Sequence, residues 1–196
     1  MNKKELIISL KNKGLSRKIL SAFSKVPREN FIPENSRKFA YYDDALPLEK
    51  GATISQPSTI AFMLELLELK KGQKILEIGS GSGYVLALLS EITKGEIYGI
   101  EIISSLAKNS EQTLSKYKNI KIYNKNGSQG LKEKAPFDRI LISAESRELP
   151  ESLYAQLKDQ GIIVAPINNS IFKIKKQNNS IKKQEFPGFV FVPLTD

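Results

Sequence analysis

The chain has 196 residues, 40% of them hydrophobic and 26% charged, and a formal net charge of +9. That length fits one α/β domain with a small N-terminal addition, able to bury roughly 70% of its unfolded surface without staples. Cysteine and histidine are both absent, which excludes disulfides, thiolate and imidazole metal sites, and the commonest general base at neutral pH.

The first 40 residues read as short helices. Leu6, Ile7 and Leu10 form one apolar face, and Leu15, Ile19, Leu20 and Phe23 another, with Gly14 between them. Residues 1–10 are amphipathic and lack the apolar core of a secretory leader. No apolar run approaches the ~18 residues of a membrane span. The expected setting is cytoplasmic, with no membrane partner. Residues 26–33 form a turn-rich connector, and residues 41–57 a long loop without a clean period, a type of segment that is often functional.

From residue 59 the pattern alternates. Helices are predicted over 59–69, 84–92, 103–117 and 150–157, the last opened by a proline. Strands are predicted over 73–78, 96–101, 120–123, 137–143 and 161–167. Residues 171–175 and 189–192 look like two late, partly exposed strands. Strand alternating with helix means a parallel sheet covered on both faces. The densest basic stretch, residues 173–183, is interrupted by Gln177, Asn178, Asn179 and Ser180 and carries no aromatic stacking platform. No block of five like charges occurs, so the charge reads as a solvated surface rather than a nucleic-acid site. The chain is expected to be one monomeric unit: a helical prefix over 1–40, an active-site loop over 41–57 and an α/β core over 58–196.

The strongest motif is Ile75-Leu-Glu-Ile-Gly-Ser-Gly-Ser-Gly-Tyr84. A strand runs into Gly79, Gly81 and Gly83, and a helix follows. The G-x-G-x-G spacing is shorter than the G-x-G-x-x-G form that seats a pyrophosphate on a helix N-terminus. Glu77 stands just before it, an acid unwelcome beside phosphates but suited to a cation such as a sulfonium with its amino group. Glu101 ends the next strand, where a carboxylate accepts hydrogen bonds from both ribose hydroxyls.

These features resemble the class I S-adenosylmethionine-dependent methyltransferases. The resemblance implies that residues 77–83 hold the methionine part of the cofactor and that Glu101 holds its ribose. Other motifs narrow the acceptor. The fourth predicted strand is followed by Ser143-Ala144-Glu145, not by the N/D-P-P-Y/F motif of base-nitrogen methylation. The cysteine nucleophile of pyrimidine carbon-five methylation is absent, as is an acidic cluster suited to a metal-dependent catechol-type enzyme. A carboxylate acceptor is already ionised at pH 7 and needs no base, which suits a chain without histidine; Asp, Lys or Tyr remain alternative bases.

Gly51-Ala-Thr-Ile-Ser-Gln-Pro57 resembles the active-site loop of the protein-L-isoaspartate O-methyltransferases. Val26-Pro-Arg-Glu-Asn-Phe31, Asp44-Ala-Leu-Pro47, Ala135-Pro-Phe-Asp-Arg-Ile140, Leu149-Pro150 and Val192-Pro-Leu-Thr-Asp196 match that family in the same order. The resemblance implies a three-layer α/β/α Rossmann-like fold, with seven strands ordered 3-2-1-4-5-6-7 and one late strand antiparallel. It implies transfer of the methyl of S-adenosylmethionine to the carboxylate of L-isoaspartyl residues in damaged proteins, the ester later closing to a succinimide unaided. Ser55 is then the catalytic residue. Thr53, Ile54, Ser55, Glu77, Ile78, Gly79, Ser80, Gly81, Gly83, Glu101, Ile102, Asn126, Gly127 and Thr195 would hold the cofactor. Ile54, Ser143 and Ala144 would hold the peptide. No metal is implied.

Ser55 also lies where a helix cap would stand, and both roles are compatible. The chain departs from the family in four side chains. Asn126-Gly127 replaces an acidic Asp-Gly, and its carbonyl can still accept from the adenine amino group. Ser143 and Glu145 stand in a turn that commonly reads Thr-Ala-Ala, where Glu145 either repels a substrate carboxylate or points to solvent. Val190 stands where bacterial members often carry arginine. The alternatives are a methyltransferase of the same fold acting on a small molecule or RNA, and a non-catalytic cofactor-binding relative.

Overall fold

The computed structural model describes residues 1–144, 148–178 and 180–191. Two helices open the chain, α1 (Lys3–Asn12) and α2 (Arg17–Lys25). Asn2 starts α1 with a capping box: Glu5 N donates to Asn2 Oδ1 at 3.0 Å and Asn2 N donates to Glu5 Oε2 at 2.9 Å. Leu6 and Leu10 of α1 pack with Ile19, Ala22 and Phe23 of α2 and are buried. Two 3-10 turns follow, Arg28–Phe31 and Glu34–Phe39.

The segment 41–57 is less irregular than its sequence suggests. Strands β1 (Leu46–Pro47) and β2 (Thr53–Ile54) close it into a small antiparallel hairpin, with Leu46 opposite Ile54. Helix α3 (Pro57–Leu66) then leads into the core.

The core runs β3 (Ile75–Ile78), α4 (Tyr84–Thr93), β4 (Ile97–Glu101), α5 (Ser104–Thr113), β5 (Ile120–Asn124), β6 (Phe137–Ile142), α6 (Glu151–Ala155), β7 (Leu157–Ile167), β8 (Ser170–Gln177) and β9 (Ser180–Pro187). The sheet order is β5-β4-β3-β6-β7-β8-β9. Counted from β3, this is the expected 3-2-1-4-5-6-7. Pairing is parallel from β5 to β7, and β8 runs against both its neighbours. All four residues of β3 are buried, since helices cover both faces of the parallel strands. Ile75, Ile97, Leu141 and Val164 face a core shared with α1 to α4, while Leu76, Ile78, Ile140 and Ile163 face a second core with Leu153 of α6.

The last strand is not the one the sequence predicted. Residues 189–191 are irregular, and the strand is β9, whose residues are nearly all exposed. An edge strand with two wet faces leaves no hydrophobic alternation to read. β7 also begins at Leu157 rather than 161, because the exposed Lys158, Asp159 and Gln160 extend it past a register shift against β6. Among the described residues no helix is long and apolar enough to cross a membrane.

Candidate functional site

The carboxyl ends of β3, β4 and β6 meet where connections diverge to either side of β3, the crevice in which open α/β sheets bind ligands. A cleft of about 420 Å³ opens there, within the range for small-molecule sites. Backbone ties gather its walls: Gly79 N and Ser80 N donate to Ile100 O at 2.9 and 3.0 Å, and Ser143 N donates to Ile78 O at 2.9 Å.

The glycine loop turns on positive φ at Gly79 (76°) and Gly83 (82°). A Cβ on Gly83 would come 2.6 Å from Leu114 Cδ1, and one on Gly79 would meet Ala144 Cβ at 3.4 Å. Within this loop, space forbids a side chain only at Gly83; at Gly79 the positive φ is what a side chain would strain.

Glu101 braces this loop. Its Oε2 accepts from Gly81 N at 2.7 Å and its Oε1 from Ile103 N at 2.9 Å, with the residue 5% exposed. Each oxygen keeps a lone pair for a hydroxyl. Glu77 is more deeply buried. Its Oε1 accepts from Ser143 Oγ at 2.7 Å, and its Oε2 has no partner among the described residues. Burial pushes this carboxyl up to about 8, helped by the neighbouring Glu101 and opposed by the Ser143 bond. An orphaned carboxylate oxygen beside a glycine cradle fits a ligand bearing a cationic group, and two carboxylate oxygens at a strand end fit a ribose diol. The described residues therefore fit S-adenosylmethionine.

The structure brings most of the sequence-predicted residues together. Thr53, Ser55, Ile78, Gly79, Gly81, Glu101, Ile102, Gly127, Ser143 and Ala144 line the cleft. Ile54, Glu77 and Ser80 line a small inner extension that also touches Thr53, Ser55 and Ser143. Two predicted residues stand apart. Gly83 caps α4 behind the loop, and Asn126 is exposed, its Oδ1 accepting from Ser128 N at 2.7 Å. Thr195, Glu145 and the motif at 192–196 lie outside the described residues.

Ser55 is not the cap of α3. Gln56 holds the N-cap position without a side-chain bond, and Asp43 Oδ1, fifteen residues upstream, accepts from Ser58 N at 2.7 Å. Ser55 Oγ makes no hydrogen bond among the described residues, while Ser55 O accepts from Arg28 Nη1 at 2.9 Å. Arg28, Asp43, Lys50 and Lys125 are the contributors that sequence reasoning missed. Arg28 stands in Val26-Pro-Arg-Glu-Asn-Phe31, a stretch whose sequence suggests no chemical role. Lys50 and Lys125 line the cleft but read as ordinary surface lysines.

Sheet order, glycine cradle and strand-end acid together define a class I S-adenosylmethionine-dependent methyltransferase. The family model described as protein-L-isoaspartate(D-aspartate) O-methyltransferase matches residues 1–196, and the chain belongs to that family. It is 41% identical over 199 residues to the protein-L-isoaspartate O-methyltransferase of Dictyoglomus turgidum, covering 98% of this chain and 90% of that one. The corresponding Pyrobaculum islandicum protein is 39% identical, with 97% and 98% covered. A Plasmodium falciparum structure described as a protein-L-isoaspartate O-methyltransferase in complex with S-adenosyl-L-homocysteine superposes with a TM-score of 0.86 at 28% identity, covering 100% of this chain and 99% of that one.

Proposed function

We propose that this chain transfers the methyl of S-adenosylmethionine to the carboxylate of L-isoaspartyl residues in damaged proteins, with Ser55 orienting the acceptor. Family membership supports the reaction. The observation that carries the site is the position of Ser55: it borders both the cleft and the inner extension, and its hydroxyl is bonded to no other group among the described residues.

S-adenosylmethionine supplies an electrophilic methyl on a sulfonium. The work of the protein is then positioning. Glu101 would hold the ribose hydroxyls, the loop from Glu77 to Gly83 the methionine end, and Ile78, Ile102 and Gly127 the adenine side. Ser55 Oγ would donate to one oxygen of the acceptor carboxylate, with Ile54, Ser143 and Ala144 beside the peptide. An ionised carboxylate needs no base, and the chain offers no imidazole. We read the chain as one catalytic unit, since Leu6 and Leu10 of the prefix share a core with Ile162 and Val164 of the sheet. A monomeric, cytoplasmic enzyme without a nucleic-acid partner fits this reading.

The test compares Ser55→Ala with wild type on an isoaspartyl peptide and its aspartyl twin. Loss of one charge-assisted bond in the transition state is expected to lower kcat/KM by about 10–150-fold, roughly 1.5–3 kcal/mol, with cofactor affinity and Tm unchanged. A folded mutant with wild-type kcat/KM removes Ser55 from the mechanism. A wild-type chain that binds S-adenosylhomocysteine yet methylates no isoaspartyl peptide points to a small-molecule or RNA acceptor, or to a non-catalytic relative.

A further inference from the structure

Arg28 is the largest fully buried side chain in the molecule's core, yet it has no carboxylate within ion-pair distance among the described residues. Its guanidinium spans the two ends of the acceptor loop. Nη1 donates to Ser55 O at 2.9 Å, and Nη2 donates to Asp44 O at 3.2 Å. The Nε has no partner among the described residues. Burial pulls the guanidinium down to about 10, and the neighbouring Tyr84 and Asp43 oppose that fall. On its other side, Arg28 Cζ lies 5.5 Å from the ring centroid of Tyr84. Tyr84 is the first residue of α4 and follows Gly83 directly. Its ring is itself gripped by Phe31 at 5.4 Å and Phe23 at 6.0 Å.

A buried guanidinium without a counter-carboxylate is expensive, and an apolar side chain of similar volume would fill this space at lower cost. What arginine adds is a rigid planar fork that reaches two carbonyls at once while its charge lies within cation–π distance of a ring, which lysine cannot reproduce. Both carbonyls belong to the loop that carries Ser55, and the ring belongs to the helix that continues the glycine loop. We propose that Arg28 is a positioning residue that sets Ser55 against the glycine loop and so fixes the gap between the acceptor carboxylate and the methyl donor. This rests on the role of Ser55 given above. In-line transfer is steep in distance, and a misplacement of about 1 Å costs on the order of 100-fold in rate.

The test is Arg28→Lys, alone and with Ser55→Ala. Arg28→Lys is expected to keep S-adenosylhomocysteine affinity within about twofold and to lower kcat on an isoaspartyl peptide on the order of 100-fold. Because Arg28 acts through Ser55, the double variant should lose little beyond Ser55→Ala alone. Hydrogen exchange of the amides in 44–56 should accelerate, with those in 79–84 unchanged. Methylguanidinium added to Arg28→Ala should restore part of kcat if Arg28→Lys fails to fold. Losses that multiply in the double variant, wild-type kcat in Arg28→Lys, or unaltered exchange in 44–56 would each overturn the proposal. If the wild type proves inactive on isoaspartyl peptides, the function reading fails, and the exchange measurement still decides whether Arg28 holds this loop.

Discussion

Replacing Glu77 with glutamine should make the ligand-free protein more stable at neutral pH and remove a pH dependence that the wild type carries. Glu77 is 1% exposed, with one oxygen on Ser143 and the other unpartnered among the described residues. Desolvation raises it from an ordinary 4.5 to about 8. Between those values the folded chain holds a proton that the unfolded chain has released, so stability falls as pH rises through the window and is least affected below about 4.5. At pH 7 the gap is about 2.5 pH units, which at 1.36 kcal/mol per unit costs the fold about 3 kcal/mol. A neutral amide escapes that cost, though its NH2 group finds no ready acceptor. For a chain of this size 3 kcal/mol corresponds to a Tm difference of roughly 6–12 °C. Melting wild type and Glu77→Gln across pH 5 to 8 is the assay, and the difference should widen steadily in favour of the mutant. A difference that stays constant with pH would refute the buried, protonated Glu77. A bound cation favours the ionised carboxylate, so S-adenosylmethionine binding at pH 7 should release close to one proton from wild type and none from the mutant. Calorimetry in buffers of different ionisation enthalpy reads this directly.

Glu101→Gln keeps the side-chain shape but loses the charge that braces Gly81 N and Ile103 N. Affinity for S-adenosylhomocysteine should fall by about 2–4 kcal/mol, roughly 30- to 1000-fold, and calorimetry showing unchanged affinity would count against the ribose assignment. Asp43→Ala removes the remote cap of α3 and should cost about 1 kcal/mol, or a Tm drop of about 2–4 °C, with cofactor affinity intact; an unchanged Tm would show that Ser58 N finds another acceptor. RNA binding should be weak and indifferent to sequence, decaying with salt. Submicromolar, sequence-selective binding near physiological salt would contradict the reading of the charge as a solvated surface.

The sequence was most legible where local chemistry and global fold coincide. The glycine run, Glu77 and Glu101 sit within 25 residues of one another, and their strand-turn-helix-strand setting leaves few ways to fold. The alternation implied a parallel sheet covered on both faces, while the order of its strands came only with the family resemblance. Legibility failed where the cause lies far along the chain. The cap of α3 comes from Asp43 rather than the adjacent Ser55, because the intervening hairpin folds back. Arg28 sits in a polar-looking stretch, and only the convergence of Phe23, Phe31 and Tyr84 shows that its guanidinium is interior. Asn126, which the resemblance sets against the adenine, is exposed and closes a local turn on Ser128 N, a competition that short polar side chains often win.

The exposed strand β9 gives the surplus of lysine a physical purpose. An open sheet has two rims of backbone amides and carbonyls, and each is a template on which another chain can add a strand. Here one rim is β5, carrying Lys121, and the other is β9, carrying Lys182 and Lys183 and ending at Pro187. Across the last ladder Lys175 stands opposite Lys182, and a strand approaching that rim must bring its apolar side chains up to paired ammonium groups. Positive charge concentrated there works against fibrous stacking. The same lysines that raise the net charge therefore guard the open rim of the sheet against the addition of another strand.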